Sequence, residues 1–166
     1  MKNEHLKIIA SGGLAGGLSF IMLALRGRQE HGSALAPINA PSHWVHGKEA
    51  LSQEGASWRY TGLGTAIHHA SALMWAFMFS KLIHGRHIEQ SPGRLMASAA
   101  AMTGAAAVVD FKLVPERLTP GFEHHLSRKS LVMIYGAFAL GLALGNWPRQ
   151  ASSSKAEGRG NSYGAR

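Results

Sequence analysis

Residues 8–25 read IIASGGLAGGLSFIMLAL, which is 18 residues without a charged side chain. The hydrocarbon core of a bilayer is about 30 Å thick, and a helix needs roughly 20 residues to cross it. Three further stretches lack charge: Tyr60–Ser80 with 21 residues, Leu95–Val109 with 15 and Ser130–Trp147 with 18. The pattern predicts an all-α integral membrane four-helix bundle with two longer loops on one side. Its expected spans are about 8–25, 60–80, 95–113 and 130–147.

Composition supports a membrane protein and excludes several other classes. Only 16% of the 166 residues are charged, against roughly 25% in soluble domains. The helices of a soluble bundle would each show a polar face, whereas these stretches are apolar or small all round. The absence of cysteine excludes disulfides, thiolate metal sites and a cysteine nucleophile. The net charge is +8, but the basic residues form no stripe, so nucleic acid is not an expected partner.

Small residues mark a packing face in the first stretch. Gly12, Gly13, Gly16 and Gly17 form two overlapping patterns with a spacing of four residues. In lipid, this spacing lets helix backbones approach closely. We therefore expect these four glycines to pack helices, within the chain, between copies or against other membrane subunits.

The distribution of basic residues favours one orientation. With four spans, nine Lys and Arg residues lie on the side of the termini and eight on the side of the two longer loops. The nine lie mostly in short flanks, where they count most towards cytoplasmic placement. We expect a protein of the bacterial inner membrane, with a membrane domain over 1–149 and both termini cytoplasmic. Residues 150–166 are rich in Ser, Gly and charge, which predicts a disordered tail.

Two histidines lie inside the second predicted span. His68 and His69 are roughly 12 Å from its first residue at 1.5 Å per residue. An ionisable group at such a depth is costly and points to a functional site. Three interpretations remain open: a neutral imidazole hydrogen-bonded to a backbone carbonyl or to Ser71, a metal or haem ligand, and a proton-transfer group.

Other ionisable residues map to the same leaflet under the four-span topology. His43 and His46 have the i, i+3 spacing of a chelate, although a solvated loop or helix capping is the favoured explanation of that pair. Convergence with the intramembrane histidines would give a site for Zn, Fe, Cu or haem, with a carboxylate orienting the imidazoles. The candidate ligands are His43, His46, His68, His69, Asp110, Glu123 and His124, with His125 beside them.

Three blocks carry a resemblance to a known group. They are Ala36–Trp44, Ile67–Ser71 with Trp75 and Ala76, and Arg117–Glu123. Together they resemble a group of uncharacterised small bacterial integral membrane proteins. The resemblance covers roughly residues 8–147 and implies a small inner-membrane protein with four spans.

The residues favour a function without catalysis. The sequence contains no phosphate-binding loop, nucleophile elbow or zincin motif. We expect a small membrane protein that serves as an accessory subunit, a transporter-like protein or an assembly protein. The alternative is a metal- or haem-binding membrane protein with a His and carboxylate site at the outer leaflet.

Overall fold

The computed structural model describes residues 2–85, 88 and 91–147, and the tail predicted over 150–166 lies outside them. In this part of the chain there is no strand, and the predicted all-α class is confirmed. The α-helices are α1 (Lys2–Glu30), α2 (Ala36–Asn39), α3 (His43–His46), α4 (Leu63–His84), α5 (Pro92–Val108) and α6 (Arg128–Gly145). A π-helical turn at Trp58–Gly62 leads into α4, and another at Val109–Leu113 continues α5.

Three helical segments are long and apolar enough to cross a membrane: Glu4–Glu30, Pro92–Leu113 and Arg128–Gly145. This finding indicates a membrane protein, as the sequence predicts. α4 has 22 residues, but among the described helices it is not one of these three. Its imidazoles, His68 and His69, lower its mean hydropathy.

Glycines set the closest contacts of α1, which packs against both α4 and α6. A Cβ added to Gly141 of α6 would overlap the backbone of Ala15, and one added to Gly145 would overlap that of Ser11. A Cβ added to Gly12 would lie 2.7 Å from Leu73 Cδ2 of α4. Only glycine therefore allows the two partner helices to approach α1 this closely.

The four predicted packing glycines divide between two sides of α1. Gly12 and Gly16 are buried against α4, where a Cβ on Gly16 would lie 3.1 Å from Ala72 Cβ. A Cβ added to Gly13 or Gly17 meets no atom within 4 Å. Successive residues of a helix point about 100° apart, so both pairs cannot face one neighbour. Within the chain, the expected packing role applies to Gly12 and Gly16.

Polar contacts lock the helix ends together. At one end, Asn146 Nδ2 of α6 donates to Ser11 Oγ of α1 at 2.8 Å. At the other, Glu30 of α1 accepts the backbone N–H of Ser127 at 2.8 Å and the hydroxyl of Ser130 at 2.7 Å. The carboxylate of one helix thereby caps the N-terminus of another, where it also faces the positive end of the helix dipole.

The two longer loops are compact and contain several short helical turns. The first loop, residues 31–57, contains α2, α3 and two 3-10 turns, at Ala40–Ser42 and Gly47–Ser52. Asn39 is fully buried there, and its Nδ2 donates to the carbonyls of Gln53 at 2.9 Å and Gly55 at 3.1 Å. The second loop, residues 114–127, contains 3-10 turns at Glu116–Leu118 and Phe122–His124. Both loops lie at the same end of the long helices.

Candidate functional site

A cavity of about 190 Å³ lies under the two loops, between the long helices. Its lining is mostly apolar, with a few polar groups from different helices. α1 supplies Ser19, and α4 supplies Ile67, His68, Ser71, Ala72, Met74 and Trp75. Ala106, Val109 and Asp110 come from α5 and its π-helical turn, and Ile134, Tyr135 and Phe138 come from α6. The loops supply Pro41, Trp44, Val114, Leu118, Pro120 and Phe122.

Hydrogen bonds between the two loops fix the roof of this cavity. The indole Nε1 of Trp44 donates to the carbonyl of Thr119 at 2.7 Å. Arg117 Nε donates back to the carbonyl of Trp44 at 3.3 Å. Gly121 has a φ of +84°, a conformation that side chains disfavour, and a Cβ there would lie 2.8 Å from His43 Nδ1. The Pro120-Gly121 turn is therefore held tightly against the first loop.

The polar end of the cavity is a carboxyl group hydrogen-bonded to a phenol. The hydroxyl of Tyr135 donates to Asp110 Oδ2 at 2.6 Å. The Tyr135 ring is positioned by Phe111, whose centroid lies 5.7 Å away at an angle of 65°. Asp110 lies in the π-helical turn, and this turn extends the last part of α5 towards the roof. The cavity thus contains an acidic group at the loop end of α5.

Glu123 of the second loop follows the lining residue Phe122 and is a further acidic group at this end of the molecule. Its Oε2 atom is buried and has no hydrogen-bond partner. Buried polar atoms are nearly always hydrogen-bonded, so an orphaned carboxylate oxygen is a feature that calls for a partner.

His68 joins α4 to α1 inside the cavity wall. Its Nε2 lies 3.1 Å from the carbonyl oxygen of Gly16 and 3.1 Å from Ser19 Oγ. A carbonyl only accepts, so Nε2 carries a proton in this contact and a neutral ring leaves Nδ1 as an acceptor. Of the partners named in the structural interpretation, the ring contacts a backbone carbonyl, that of Gly16, and its hydroxyl neighbour is Ser19, not Ser71. At the same time, the ring shares the cavity with Asp110.

His69 faces a different environment. Its Nδ1 donates to the carbonyl of Thr65, one turn earlier on α4, at 3.0 Å. Its ring packs against Phe20 at 5.6 Å and against His68 at 5.4 Å between centroids. The close approach of Gly16 leaves room for this ring. His69 therefore contributes to the α1–α4 interface and does not line the cavity.

The remaining predicted ligands are spread over the loops. His43 is buried and donates from Nδ1 to the carbonyl of Ala40 at 2.8 Å. His46 packs on the ring of Tyr60 at 5.3 Å, and His124 is exposed. In the part of the chain that the structure describes, no group of three or more His, Cys, Asp or Glu side chains could hold a metal ion. Of the predicted set, the cavity brings together His68 and Asp110.

A second cluster of ionisable groups joins the loops at the surface. The ring of His125 lies 4.6 Å from that of His31, and His31 Nε2 lies 3.2 Å from Glu54 Oε1. Burial and the neighbouring His31 and His124 lower the pKa of His125. The Nε2 atom of His125 is buried without a partner, which fits a neutral ring. The cluster holds the first loop against the second.

Sequence reasoning missed Tyr135 and Ser19. Both are polar residues inside predicted spans, and lipid gives such groups no partner of its own. If every hydroxyl in the predicted spans had been treated as a group that needs a partner, Tyr135 and Ser19 would have been among the site candidates. The partner of each, Asp110 and His68, follows only from the packing of the helices.

Comparisons of the chain with protein-family models, with curated proteins and with solved structures find no match.

Proposed function

We propose that the chain is a four-helix bundle that crosses the bacterial inner membrane four times, with α4 as the additional span. The argument for α4 is its outward face, where Leu73, Phe77 and Met78 are 40–49% exposed. In water such a continuous apolar surface would be costly, whereas lipid tails cover it without penalty. His68 and His69 lie on the inner side of α4 towards α1.

The same proposal places both termini in the cytoplasm. Glu4 of α1 pairs with Lys81 of α4 at 2.8 Å, so these two helix ends lie on one side. The nine basic residues assigned to that side lie in short segments, and this favours the cytoplasmic face. The cavity and its two loops then lie towards the outer leaflet.

We infer that the protein acts without catalysis, as a transporter-like or accessory protein that binds a small and largely apolar molecule. The observation that carries this proposal is the cavity of about 190 Å³ under the loops. Ligand sites in proteins are typically mostly apolar, with a few convergent polar groups. A cavity of about 150 Å³ is enough for one benzene ring, so this one suits a ligand with a single ring.

Tryptophan fluorescence tests the proposal because two indoles, Trp44 and Trp75, line the cavity. Bromobenzene, a heavy-atom quencher with one ring, is titrated into the full chain in lipid nanodiscs. We expect a saturable component of quenching above the linear component that arises from quencher dissolved in lipid. Linear quenching alone would contradict a binding cavity.

A pair of alanine substitutions on α5 provides the matched control. Ala106 lines the cavity and is 2% exposed, whereas its neighbour Ala105 is exposed on the outside of α5. Ala106→Leu should remove the saturable component by filling the space. Ala105→Leu adds the same side chain outside the cavity and should leave that component intact. Equal effects of both substitutions would place the quencher elsewhere.

A further inference from the structure

We propose that the cavity selects a small organic cation, an amine or quaternary ammonium with one ring. The ligand would be held between the Asp110 carboxylate and the aromatic walls. This inference rests on the proposed ligand-binding function, and it names the chemical class of the ligand. It draws on three features of the cavity: its uncompensated acid, its aromatic lining and its size.

The cavity contains a carboxyl group, and its imidazole, His68, is held by a hydrogen bond to a backbone carbonyl. Asp110 receives a hydrogen bond from the neutral hydroxyl of Tyr135, and no Lys or Arg is among the lining residues. The Lys and Arg ion pairs of the described residues lie at helix ends and in the first loop, at Arg26–Glu30, Arg59–Glu49 and Lys81–Glu4. A carboxylate in an apolar surrounding is strongly favoured to take up a positive charge, either a proton or a cation.

A second carboxyl group strengthens this preference. Glu123, next to the lining residue Phe122 in the second loop, lies outside the cavity lining, and its Oε2 is buried without a hydrogen-bond partner. Like charges in an apolar surrounding repel each other, so a cation bound at Asp110 offsets part of the cost of this second carboxylate. An anionic ligand would be repelled by the carboxylate. The electrostatics of the site therefore disfavour carboxylates and phosphates as ligands.

The aromatic residues that line the cavity provide the second feature of an ammonium site, in addition to the carboxylate. Trp44 and Phe122 line the cavity from the loops, and Trp75, Tyr135 and Phe138 line it from the helices. The face of an aromatic ring attracts a cation, most strongly for Trp and in a site without water. Aromatic rings together with a carboxylate bind alkylated ammonium groups better than they bind neutral molecules of the same shape. A metal ion is a poorer fit, because the described residues offer no group of three or more His, Cys, Asp or Glu ligands.

The test compares two molecules of the same shape and different charge. Benzyltrimethylammonium carries one positive charge, and 2,2-dimethylpropylbenzene is its uncharged isostere. Each competes with bromobenzene for the saturable tryptophan quenching of the full chain in nanodiscs of neutral lipid. We expect the cation to displace bromobenzene at a concentration at least about tenfold lower than the isostere, after correction for partitioning into lipid.

The variant Asp110→Asn tests whether the carboxylate causes the preference for the cation over its uncharged isostere. Asparagine keeps an oxygen that accepts the hydrogen bond of Tyr135, and an unchanged unfolding temperature would show that the variant folds. In this variant the cation should lose most of its advantage over the uncharged isostere, measured as the ratio of the two competing concentrations. In the unaltered protein, cation binding should weaken as pH falls, because protons compete with the cation for the Asp110 carboxylate, which shares the cavity with Tyr135 and His68.

The outcomes separate this inference from the proposed function. If bromobenzene shows no saturable quenching, the cavity does not bind ligands and both proposals fail. If bromobenzene binds and the uncharged isostere competes as well as the cation, the ligand class is wrong and the binding function remains. A preference for the cation that Asp110→Asn retains would overturn the role of the carboxylate.

Discussion

Tyr135 of α6 donates a 2.6 Å hydrogen bond to Asp110, and this contact ties the end of α5 to the middle of α6. Both side chains face the cavity, so one hydrogen bond serves packing and also defines the polar end of the site. Without it, the carboxyl group would be left in an apolar surrounding with no donor from a neighbouring helix.

The substitution Tyr135→Phe removes only the hydroxyl and keeps the ring that packs on Phe111. An acceptor left unsatisfied in a buried site costs about 1–3 kcal/mol, so we expect a lower unfolding temperature in detergent. Tyr60→Phe is the matched control, since Tyr60 donates to the exposed Glu49 at 2.9 Å. An equal loss of unfolding temperature in the two variants would mean that the Tyr135–Asp110 hydrogen bond stabilises the protein no more than the exposed Tyr60–Glu49 hydrogen bond does.

The packing of α1 on α4 gives a second prediction, in which two adjacent glycines provide the test variant and its control. Gly12→Leu forces side-chain atoms into Leu73 and Ala76 of α4, and overpacking of this kind costs about 1–3 kcal/mol. Gly13→Leu adds the same atoms where nothing lies within 4 Å. Thermal unfolding of the monomer should show a loss for the first variant and little change for the second.

A loss of stability in Gly13→Leu as large as that in Gly12→Leu would contradict this division of the glycines. If Gly13→Leu instead changed the oligomer size in size-exclusion chromatography, the outer glycines would pack copies or other subunits together. That outcome would extend the role expected from the sequence to an interface outside the chain.

The sequence predicts the helices well because charge-free length is a local property. The end of the third predicted span at 113 matches the π-helical turn that carries Asp110, and the fourth stretch overlaps α6 over most of its length. The prediction for α1 was too short, since residues 8–25 count only the uncharged part of a helix that begins at Lys2 and ends at Glu30. Charged residues continue a helix where its ends leave the lipid.

The site is harder to predict because it depends on contacts between distant segments. The four-span topology predicts Asp110 and His68 at the same end of the molecule, and in the structure both line one cavity. It did not distinguish His68 from His69, since that choice depends on which side of α4 meets Gly16. The loop histidines were grouped with them by leaflet alone, and the loop fold gives His43 a backbone carbonyl instead.

The contact between α1 and α6 leads to a third prediction. Gly141→Ala places a Cβ on the backbone of Ala15, so α6 has to move away from α1. We expect a loss of about 1–3 kcal/mol in the free energy of unfolding. Gly136→Ala on the same helix has free space and should be neutral or gain up to about 1 kcal/mol from helix propensity. Denaturant unfolding measures both, and a gain for Gly141→Ala would refute the close approach.

The surface cluster of His125 makes stability depend on pH. Burial, with His31 and His124 nearby, lowers the pKa of His125 below its ordinary value of about 6.5, whereas Glu54 and Glu123 oppose this shift. The unfolded chain therefore binds a proton at His125 more readily than the folded chain does. The stabilising effect of a neutral His125 is complete above about pH 6.5 and is lost as pH falls below it.

Unfolding temperatures at pH 7.5 and pH 5.5 check this prediction. His125→Gln cannot be protonated, so the drop in unfolding temperature between the two pH values should be smaller than in the unaltered chain. His5→Gln is the matched control, because His5 is exposed and lies at the opposite end of α1 from this cluster. A drop that is the same in all three proteins would show that other groups cause the acid sensitivity.

The topology is open to a direct test because the chain contains no cysteine, so a single introduced cysteine reports its own location. Four spans place Ser52 and Glu116, both exposed in the loops, outside the inner membrane, and they place Gly93 and Ser154 inside. In intact cells with a permeabilised outer membrane, a membrane-impermeant maleimide should label Ser52→Cys and Glu116→Cys. Gly93→Cys and Ser154→Cys should react only after the cells are broken. Labelling of Gly93→Cys together with Ser52→Cys would show that α4 does not cross, and the reverse of the whole pattern would invert the orientation.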